Sequence, residues 1–326
     1  MEKGYIQISE LSEILGGVSP QAIYKMLNTK DLESIKITPR KRVVTPSTMR
    51  SIFEEKGYIY KQQIIAFDMI KGGVGKTTLS SNLALRSSHY GCRTLLIDFD
   101  LQGNLTRSFN INTDPNKMWI NIVRDGIDVQ DTIVGISPFL DIIPSGLSNS
   151  RLDFELKDNG TNLPAHVRDV ISPIYDNYDL IIIDCPPAIN QVSSAAMMAS
   201  DFVVIPLNPD PYSMDGLEMT KSEIERLKKN WKLDNPKFLA VWNKYDARKR
   251  LGAFYMHDIA KRIDIEHIIP VVIRNDSSYE KAIAAKEGSI FESTRNNPAK
   301  DDIDQLTKEI LGINKWLDSN DFSVTK

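Results

Sequence analysis

The sequence predicts an α/β fold in which a mostly parallel sheet carries helices on both faces, with a small helical module in front of it. From residue 63 onward, apolar runs alternate with amphipathic segments, and several of these runs are continuously apolar. Continuous apolar runs are typical of strands that helices cover on both sides, and their alternation with helices favours parallel pairing. The predicted strands cover residues 64–69, 94–97, 140–143, 180–183, 202–207, 238–242 and 267–272.

Length and composition are those of an ordinary globular protein. The chain has 326 residues, of which 41% are hydrophobic and 25% are charged, which suits one large domain with a small appendage. The longest apolar runs are far shorter than the roughly 20 residues that a membrane helix needs. Neither the two cysteines nor the four histidines show the spacing of a disulfide framework or a zinc site. We therefore expect a cytoplasmic protein.

The N-terminal segment differs in charge from the rest of the chain. Residues 1–61 carry a net charge of +3, whereas residues 62–326 carry −6. We place the domain boundary between these two segments. The positive charge permits contact with nucleic acid but is too small to demonstrate it, so the motifs must decide.

The first 61 residues follow the order of a winged helix-turn-helix. A short helix over residues 9–15 ends at two glycines, and Ser19 and Pro20 then supply the cap and first residue of a second helix. Two β-prone runs, 35–38 and 43–45, flank a basic tip, and a third helix follows.

This module offers a candidate surface for reading DNA. The outward face of the second helix, predicted to lie in the major groove, carries Gln21, Tyr24, Lys25 and Asn28. The basic tip, predicted to contact phosphates, carries Arg40, Lys41 and Arg42. The alternative is a small helical module that docks a partner protein or the larger domain.

A phosphate-binding loop follows the first strand of the larger domain. After Lys71, the loop and the start of the next helix consist of Gly72, Gly73, Val74, Gly75, Lys76, Thr77 and Thr78. The glycines let backbone N–H groups approach phosphates, the helix N-terminus adds positive potential, and Lys76 supplies a full charge. Thr77 is placed to ligate Mg²⁺. A glycine turn without a ligand does not account for the Gly-Lys-Thr-Thr run.

Three aspartates stand at the ends of two further strands. Asp98 and Asp100 follow the strand 94–97, and Asp184 ends the apolar run 180–183. Ligands of α/β proteins bind at this edge of the sheet, and phosphoryl transfer depends mainly on positioning and charge. We predict that Asp184 and Asp98 belong to the Mg²⁺ site and that Asp100 orients the attacking water. Together with the loop they predict an Mg²⁺–ATP site, with GTP as the weaker alternative.

Residues 71–78 resemble the phosphate loop of the ParA/MinD family of deviant Walker ATPases, Lys-Gly-Gly-x-Gly-Lys-[Ser/Thr]-[Ser/Thr], at every position, and the resemblance extends over residues 62–315. The resemblance implies that Lys71 reaches across an ATP-bound dimer to the nucleotide of the other subunit, while Lys76 serves its own. It also places Asn243 near adenine and Pro209 at the wall of the base pocket. The family commonly has proline where this chain has Leu101, which leaves the hydrolysis rate open.

Other features favour a partitioning member of this family. The last regular helix is acidic outside, unlike the basic membrane helix of MinD proteins, and the cysteines lack the pattern of the iron–sulfur reductases. The resemblance thus implies a homodimer that forms on ATP, binds nucleoid DNA, and is stimulated by a ParB-like centromere-binding protein. Two alternatives stay open: an ATPase that positions a protein cargo, and a nucleotide-switched transcriptional repressor.

Relatives also use basic residues of the ATPase dimer to bind DNA without sequence preference. Arg274 resembles one such position, and Lys281 and Lys286 extend the same patch. The alternative for these residues is an ordinary solvated charged face.

Overall fold

The computed structural model describes residues 5–38, 41–158, 162–292 and 297–319. A small sheet near the N-terminus consists of β1 Ile6–Gln7, β2 Ser34–Thr38 and β3 Lys41–Val44. The large sheet consists of β4 Gln63–Phe67, β5 Thr94–Asp98, β6 Val134–Ser137, β7 Leu140–Ile143, β8 Leu180–Asp184, β9 Phe202–Leu207, β10 Lys237–Tyr245 and β11 Ile268–Arg274.

Helices precede, connect and follow these strands. The first seven are α1 Ile8–Ile14, α2 Pro20–Thr29, α3 Pro46–Glu55, α4 Lys76–His89, α5 Asn104–Ser108, α6 Trp119–Asp125 and α7 Leu152–Asp158. The others are α8 Leu163–Ile171, α9 Gln191–Ala199, α10 Ser213–Trp231, α11 Arg250–Ala260, α12 Ser278–Ala284, α13 Pro298–Leu311 and α14 Ile313–Ser319. Of the helices in the described part of the chain, none is long and apolar enough to cross a lipid bilayer.

The large sheet confirms the predicted α/β class. Its strand order is β11-β10-β9-β4-β8-β5-β7-β6, and every neighbouring pair is parallel except β6 and β7, which are antiparallel. The seven predicted strands are all present, and their observed ends differ from the predicted ends by up to three residues. The edge strand β6 was not predicted.

Two hydrophobic cores, one on each face of the sheet, explain the continuously apolar strands. In β4, Ile64 and Ala66 belong to one core, whereas Ile65 and Phe67 belong to the other. Apolar side chains of α7 to α10 cover the first face, and those of α4 and α13 cover the second. Because side chains alternate along a strand, a strand buried on both faces needs apolar residues throughout.

The N-terminal module contains the predicted helices and hairpin in the predicted order. The Ser19 side chain accepts a hydrogen bond from the backbone N–H of Ala22 (3.2 Å) at the start of α2, and Thr45 accepts one from Thr48 (3.3 Å) at the start of α3. Strand β3 pairs with both β1 and β2 in antiparallel fashion. The tip of the hairpin, residues 39–40, lies outside the described residues.

The C-terminal helix completes the core of this module. Ile313 is fully buried in the same apolar cluster as Phe53 and the other inner residues of α1 to α3. The ring of Trp316 lies 5.1 Å from that of Phe53 and 5.2 Å from that of Tyr58, measured between centroids. The first three helices and the last described helix of the chain therefore share one core.

Candidate nucleotide site

The loop between β4 and α4 borders a cavity of about 560 Å³. All seven residues of the predicted phosphate loop, 72–78, line this cavity. Gly73 and Gly75 have φ angles of 72° and 99°, a region in which side chains are strained. A Cβ atom on Gly75 would also lie only 2.3 Å from Nδ2 of Asn243. Position 75 thus requires glycine for two reasons: the positive φ angle of the backbone and the closeness of the Asn243 side chain.

Lys76 places a buried ammonium group in the cavity wall. The residue is only 7% exposed, and its Nζ donates to the carbonyl oxygen of Met69 at 2.9 Å. It is the first residue of α4, where backbone N–H groups have no acceptor within the helix. A helix N-terminus and a lysine at one point form a binding site for phosphate oxygens.

Lys71 lies outside the set of residues that line this cavity. Its Nζ donates to both carboxylate oxygens of Asp210, at 2.8 Å each, and lies 5.6 Å from the ring centroid of Tyr212. The side chain is 29% exposed. The first lysine of the loop is therefore held at the surface by the segment after β9, away from the phosphate cradle of its own chain.

Thr77 and Asp184 meet at the predicted Mg²⁺ site. The Thr77 hydroxyl donates to Oδ2 of Asp184 at 2.7 Å, and Oδ1 of Asp184 is buried without a partner in the described structure. Burial, followed by the charge of Asp98, raises the pKa of Asp184 to about 8. Mg²⁺ usually keeps several waters and takes few carboxylate ligands besides phosphate oxygens. A hydroxyl and an unpartnered carboxylate oxygen at one point fit that requirement.

Asp98 and Asp100 occupy different positions. Asp98 is buried, and its carboxylate accepts hydrogen bonds from the Thr106 N–H (2.9 Å), the Thr106 hydroxyl (2.7 Å) and the Asp100 N–H (3.1 Å). Burial raises its pKa to about 7 although the Thr106 hydrogen bonds oppose this shift. Asp100, in contrast, lines the cavity. In the chain as described, Asp98 organises the loop that presents Asp100; its role as a metal residue stays a prediction.

Asn243 supports the phosphate loop from β10. Its side-chain Nδ2 donates to the carbonyl oxygen of Val74 at 2.7 Å, and the residue is 4% exposed. The predicted contact with adenine stays a prediction. Pro209 lines a second cavity of about 160 Å³, beside Asp210 and Lys244. Lys244 lines both cavities.

Sequence reasoning missed several charged residues of the site. Arg107, Lys244 and Lys286 line the larger cavity, and Asp210 binds Lys71. Lys286 was predicted as part of a DNA-binding patch. These residues come from four different parts of the chain, namely the segments after β5, β9 and α12 and the end of β10, and no local motif links their side chains. The one available signal was the polar run that follows each strand at the carboxyl edge of the sheet.

Three of the predicted DNA-reading residues of the N-terminal module are exposed, and the others that the structure describes are half-buried. On α2, Gln21, Lys25 and Asn28 are exposed and Tyr24 is half-buried. The guanidinium of Arg42 lies 5.9 Å from the centroid of the Tyr24 ring, so the hairpin packs beside the helix. Lys41 is half-buried on β3. Arg40 lies outside the described residues.

Arg274 is bound to its own chain. It makes a salt bridge to Asp302 (2.5 Å) and donates to the carbonyl oxygen of Pro298 (2.9 Å), while 47% of its side chain stays exposed. These contacts join β11 to α13. Lys281, on α12, is exposed. The role of either residue in binding DNA stays a prediction.

Comparison with known proteins places this geometry among ATPases. Residues 62–238 match the family described as an AAA domain. The virulence plasmid ParA family protein pGP5-D of Chlamydia psittaci is 32% identical over 249 residues, covering 76% of this chain and 93% of that protein. The sporulation initiation inhibitor protein Soj of Bacillus subtilis is 33% identical over 215 residues, covering 65% of this chain and 85% of that protein.

Solved structures share the fold. The ATP complex of a Cyanothece McdA protein superposes with a TM-score of 0.67 at 22% identity, covering 77% of this chain and 96% of the other. Cobyrinic acid a,c-diamide synthase from Mycobacterium smegmatis, with bound ADP and magnesium, gives a TM-score of 0.58 at 24% identity, covering 69% and 91%. The phosphate loop, the family match and the two relatives together show that this chain belongs to the ParA family of P-loop ATPases.

Proposed function

We propose that this protein is a DNA-partitioning ATPase that dimerises on binding ATP with Mg²⁺ and then binds nucleoid DNA. The observation that carries the proposal is the position of Lys71. This lysine stands beside the phosphate loop, lies outside the lining of its own cavity, and is partly exposed. A lysine so placed can contact the nucleotide of a second subunit when it leaves Asp210.

The proposed catalytic groups are Lys71, Lys76 and Asp100. Lys76 holds the phosphates, and Thr77 with Asp184 holds Mg²⁺, which neutralises charge on the phosphates when bound. Asp100, presented to the cavity by the loop that Asp98 organises, orients the attacking water. Such a site acts through positioning and charge stabilisation. Pro209 and the end of β10 enclose the base.

The proposed cellular role follows from the family. A homodimer in the cytoplasm coats the nucleoid, and a ParB-like centromere-binding protein that carries the DNA cargo stimulates hydrolysis and releases it. Support comes from the names of the relatives, one a plasmid ParA family protein and another the Soj protein. Lys281 and the exposed part of Arg274 are the proposed nonspecific DNA contacts.

A nucleotide-switched repressor is a second candidate because the N-terminal module packs directly on α4, the helix that starts at the phosphate loop. In this candidate, α2 reads an operator with Gln21, Tyr24, Lys25 and Asn28. Substituting Tyr24→Ala and Lys25→Ala should then abolish binding to the operator while nonspecific binding to other DNA persists.

The test is cosedimentation of the protein with DNA of unrelated sequence in ATP, in ADP and without nucleotide. We expect binding only with ATP, and loss of binding in both Lys71→Ala and Lys76→Ala. Lys229→Ala, at an exposed lysine of α10, is the control and should bind as the wild type does. Equal binding in all nucleotide states would reject the partitioning switch.

A further inference from the structure

Helix α5 places an arginine in the wall of the phosphate cavity. Arg107, in the last turn of this helix, lines the cavity together with Asn104, which begins the helix, and with Asp100, which precedes it. The Arg107 side chain is exposed. The cavity therefore has a positively charged group in its wall that does not belong to the phosphate-loop motif.

The guanidinium of Arg107 is held by a neutral group. Its Nη2 donates to Oδ1 of Asn104 at 2.9 Å, which uses one N–H donor of a group that has several more. Within the described parts of the chain, no ion pair includes Arg107. The exposed Arg124, Arg226 and Arg274, in contrast, each bind a carboxylate. The charge of Arg107 is thus available to an anion in the cavity.

The backbone of α5 is fixed beside the phosphate loop. Thr106, directly before Arg107, donates to Oδ2 of Asp98 through its N–H (2.9 Å) and its hydroxyl (2.7 Å). The hydroxyl oxygen of Thr106 also accepts a hydrogen bond from the N–H of Ser145 at 2.9 Å, and Leu105 is fully buried. A charged group on a fixed backbone needs little reorganisation to bind its ligand. Arg107 is such a group.

The order of strands decides which part of a nucleotide lies beside α5. The phosphate loop follows β4. On one side of β4 lie β8 and β5, with the predicted metal residue Asp184 and the predicted water-orienting residue Asp100, and on the other side lie β9 and β10, near the predicted base contacts. Helix α5 follows β5, so it stands on the side of the metal and the attacking water. That water reacts at the terminal phosphate of ATP, which therefore lies on the Arg107 side.

We propose that Arg107 binds the terminal phosphate of ATP within its own subunit and so makes the site select ATP over ADP. This inference rests on the proposed function, since it adds one ligand to the proposed Mg²⁺–ATP site. Hydrogen bonds from arginine to phosphate oxygens are charge-assisted and strong, and in P-loop enzymes an arginine can stabilise charge on the transferred phosphate. ADP lacks this phosphate, so after hydrolysis Arg107 keeps only its contact with Asn104.

A structural role at the end of α5 is the competing interpretation. A cation in the last turn of a helix stabilises the carbonyl groups at its C-terminus, and Arg107 stands in that turn. Such a role would affect the cavity in the same way whichever nucleotide is bound. The ratio of the affinities for ATP and ADP therefore separates the two interpretations, because only a contact with the terminal phosphate changes it.

The experiment measures equilibrium binding of ADP and of AMPPNP, a nonhydrolysable ATP analogue, to the full chain with Mg²⁺. Each variant is made in the wild-type chain and in Lys71→Ala, which removes the lysine that the resemblance assigns to the other subunit. In both backgrounds we expect Arg107→Ala to weaken AMPPNP binding about tenfold to a hundredfold and to leave ADP binding within about twofold. Arg107→Lys should retain part of the selectivity, because an ammonium keeps the charge and loses the planar fork of donors.

The matched control is Arg124→Ala, which removes an exposed arginine of α6 that does not line the cavity. It should leave both affinities as they are. Equal changes for AMPPNP and ADP in Arg107→Ala, or no change for either, would overturn this inference and leave the proposed function standing. A loss of selectivity only in chains that retain Lys71 would place Arg107 in a contact between subunits and overturn binding within its own subunit. Wild type that binds neither nucleotide would reject both proposals.

Discussion

Asp68, at the residue scale, is a buried carboxyl group between β4 and the phosphate loop. It is 0% exposed, and neither of its oxygens accepts a hydrogen bond of normal geometry from the described residues. Burial raises its pKa from 3.8 to about 7, although the ammonium of Lys76 opposes the shift. The folded chain therefore binds this proton more tightly than the unfolded chain does. The stability that it contributes is present below pH 3.8 and is lost as pH rises toward about 7.

Replacing Asp68 with asparagine should remove this dependence on pH. Asp68→Asn keeps the shape of the side chain and abolishes the charge, so we expect its urea midpoint to exceed that of wild type most at about pH 8. The difference in unfolding free energy should grow by about 1.4 kcal/mol per pH unit across the titration window. Asp98 and Asp184 titrate in both proteins, so the comparison isolates Asp68. If the unfolding free energies of the two proteins changed with pH in parallel, the carboxyl group of Asp68 would not control the pH dependence of stability.

In the proposed dimer, Asp210 and the nucleotide of the second subunit are alternative partners of Lys71. The Asp210 carboxylate binds the ammonium of Lys71 through both oxygens in the single chain. Asp210→Asn removes the charge, so Lys71 should become available to a partner at lower ATP concentration. Because a half-exposed ion pair contributes about 1 kcal/mol or less, we expect roughly a two- to fivefold decrease in the ATP needed for dimerisation.

Sedimentation velocity across an ATP titration measures this shift. Nucleotide affinity of the single chain is measured separately, since Asp210 also borders the smaller cavity. The double variant Asp210→Asn with Lys71→Ala should show no gain, because the lysine that the first change releases is absent. A higher ATP requirement in Asp210→Asn, at unchanged single-chain affinity, would mean that Asp210 assists dimerisation instead.

Most of the sheet could be predicted because its strands are buried on both faces. The exception, β6, is a short edge strand whose residues are half-buried or exposed and include Gly135, so no apolar run marks it. The end of β4 was also predicted too late. Asp68 and Met69 continue the buried run beyond the last residue of β4 and lead into the phosphate loop. Burial alone therefore does not locate the end of a strand.

The phosphate loop and the three aspartates could be predicted because each stands in a local motif at a strand end. Their partners could not. Asp210 follows β9, and Lys244 lies near the end of β10. In the sheet β9 lies beside β4 and β10 lies beside β9, although both strands follow β4 by more than a hundred residues in the chain. The order of strands is a property of the packed sheet and has no local signal in the sequence.

At the element scale, helix α4 connects the nucleotide site to the N-terminal module. It begins at Lys76, and ten residues later Arg86 is fully buried between two acidic side chains. Arg86 binds Asp304 of α13 at 2.5 Å and also binds Glu10 of α1. A buried arginine needs its partners because an uncompensated charge in the interior is costly.

The two acidic partners of Arg86 should contribute unequally. Asp304 is the more buried of the two, with 14% of its side chain exposed against 30% for Glu10. We expect Asp304→Asn to lower the unfolding free energy by about 3 kcal/mol or more, and Glu10→Gln by about 1 kcal/mol. Urea unfolding of each variant measures these values. Equal losses of unfolding free energy in the two variants would show that solvent does not screen the pair between Arg86 and Glu10. If Asp304→Asn left the unfolding free energy unchanged, the pair between Arg86 and Asp304 would not stabilise the fold.

At the scale of the whole molecule, contacts at the edge of the sheet opposite the nucleotide site join the N-terminal module to the rest of the chain. Arg50 of α3 binds Asp179, just before β8, at 2.6 Å, and the hydroxyl of Tyr58 donates to the carbonyl oxygen of Leu311 at 2.6 Å. These contacts join the N-terminal module to the sheet and to the last helices. The N-terminal module is therefore bound to the larger domain through α3, through the segment before β8 and through the last helices.

Because α14 completes the N-terminal core, the module should not fold alone. A fragment of residues 1–61 lacks Ile313, Trp316 and Tyr90, which belong to its apolar cluster, and small cores of this size are marginal even when complete. We expect the fragment to show no cooperative thermal transition by circular dichroism, whereas the full chain unfolds in a single transition.

Within the full chain, Ile313→Ala should lower the midpoint temperature of that transition, because Ile313 is fully buried and its truncation should reduce the unfolding free energy by about 2–5 kcal/mol. Exposed Leu251→Ala, on α11, is the control and should change it little. A fragment that unfolds cooperatively would instead make residues 1–61 an independent domain, whose orientation the ATPase does not fix.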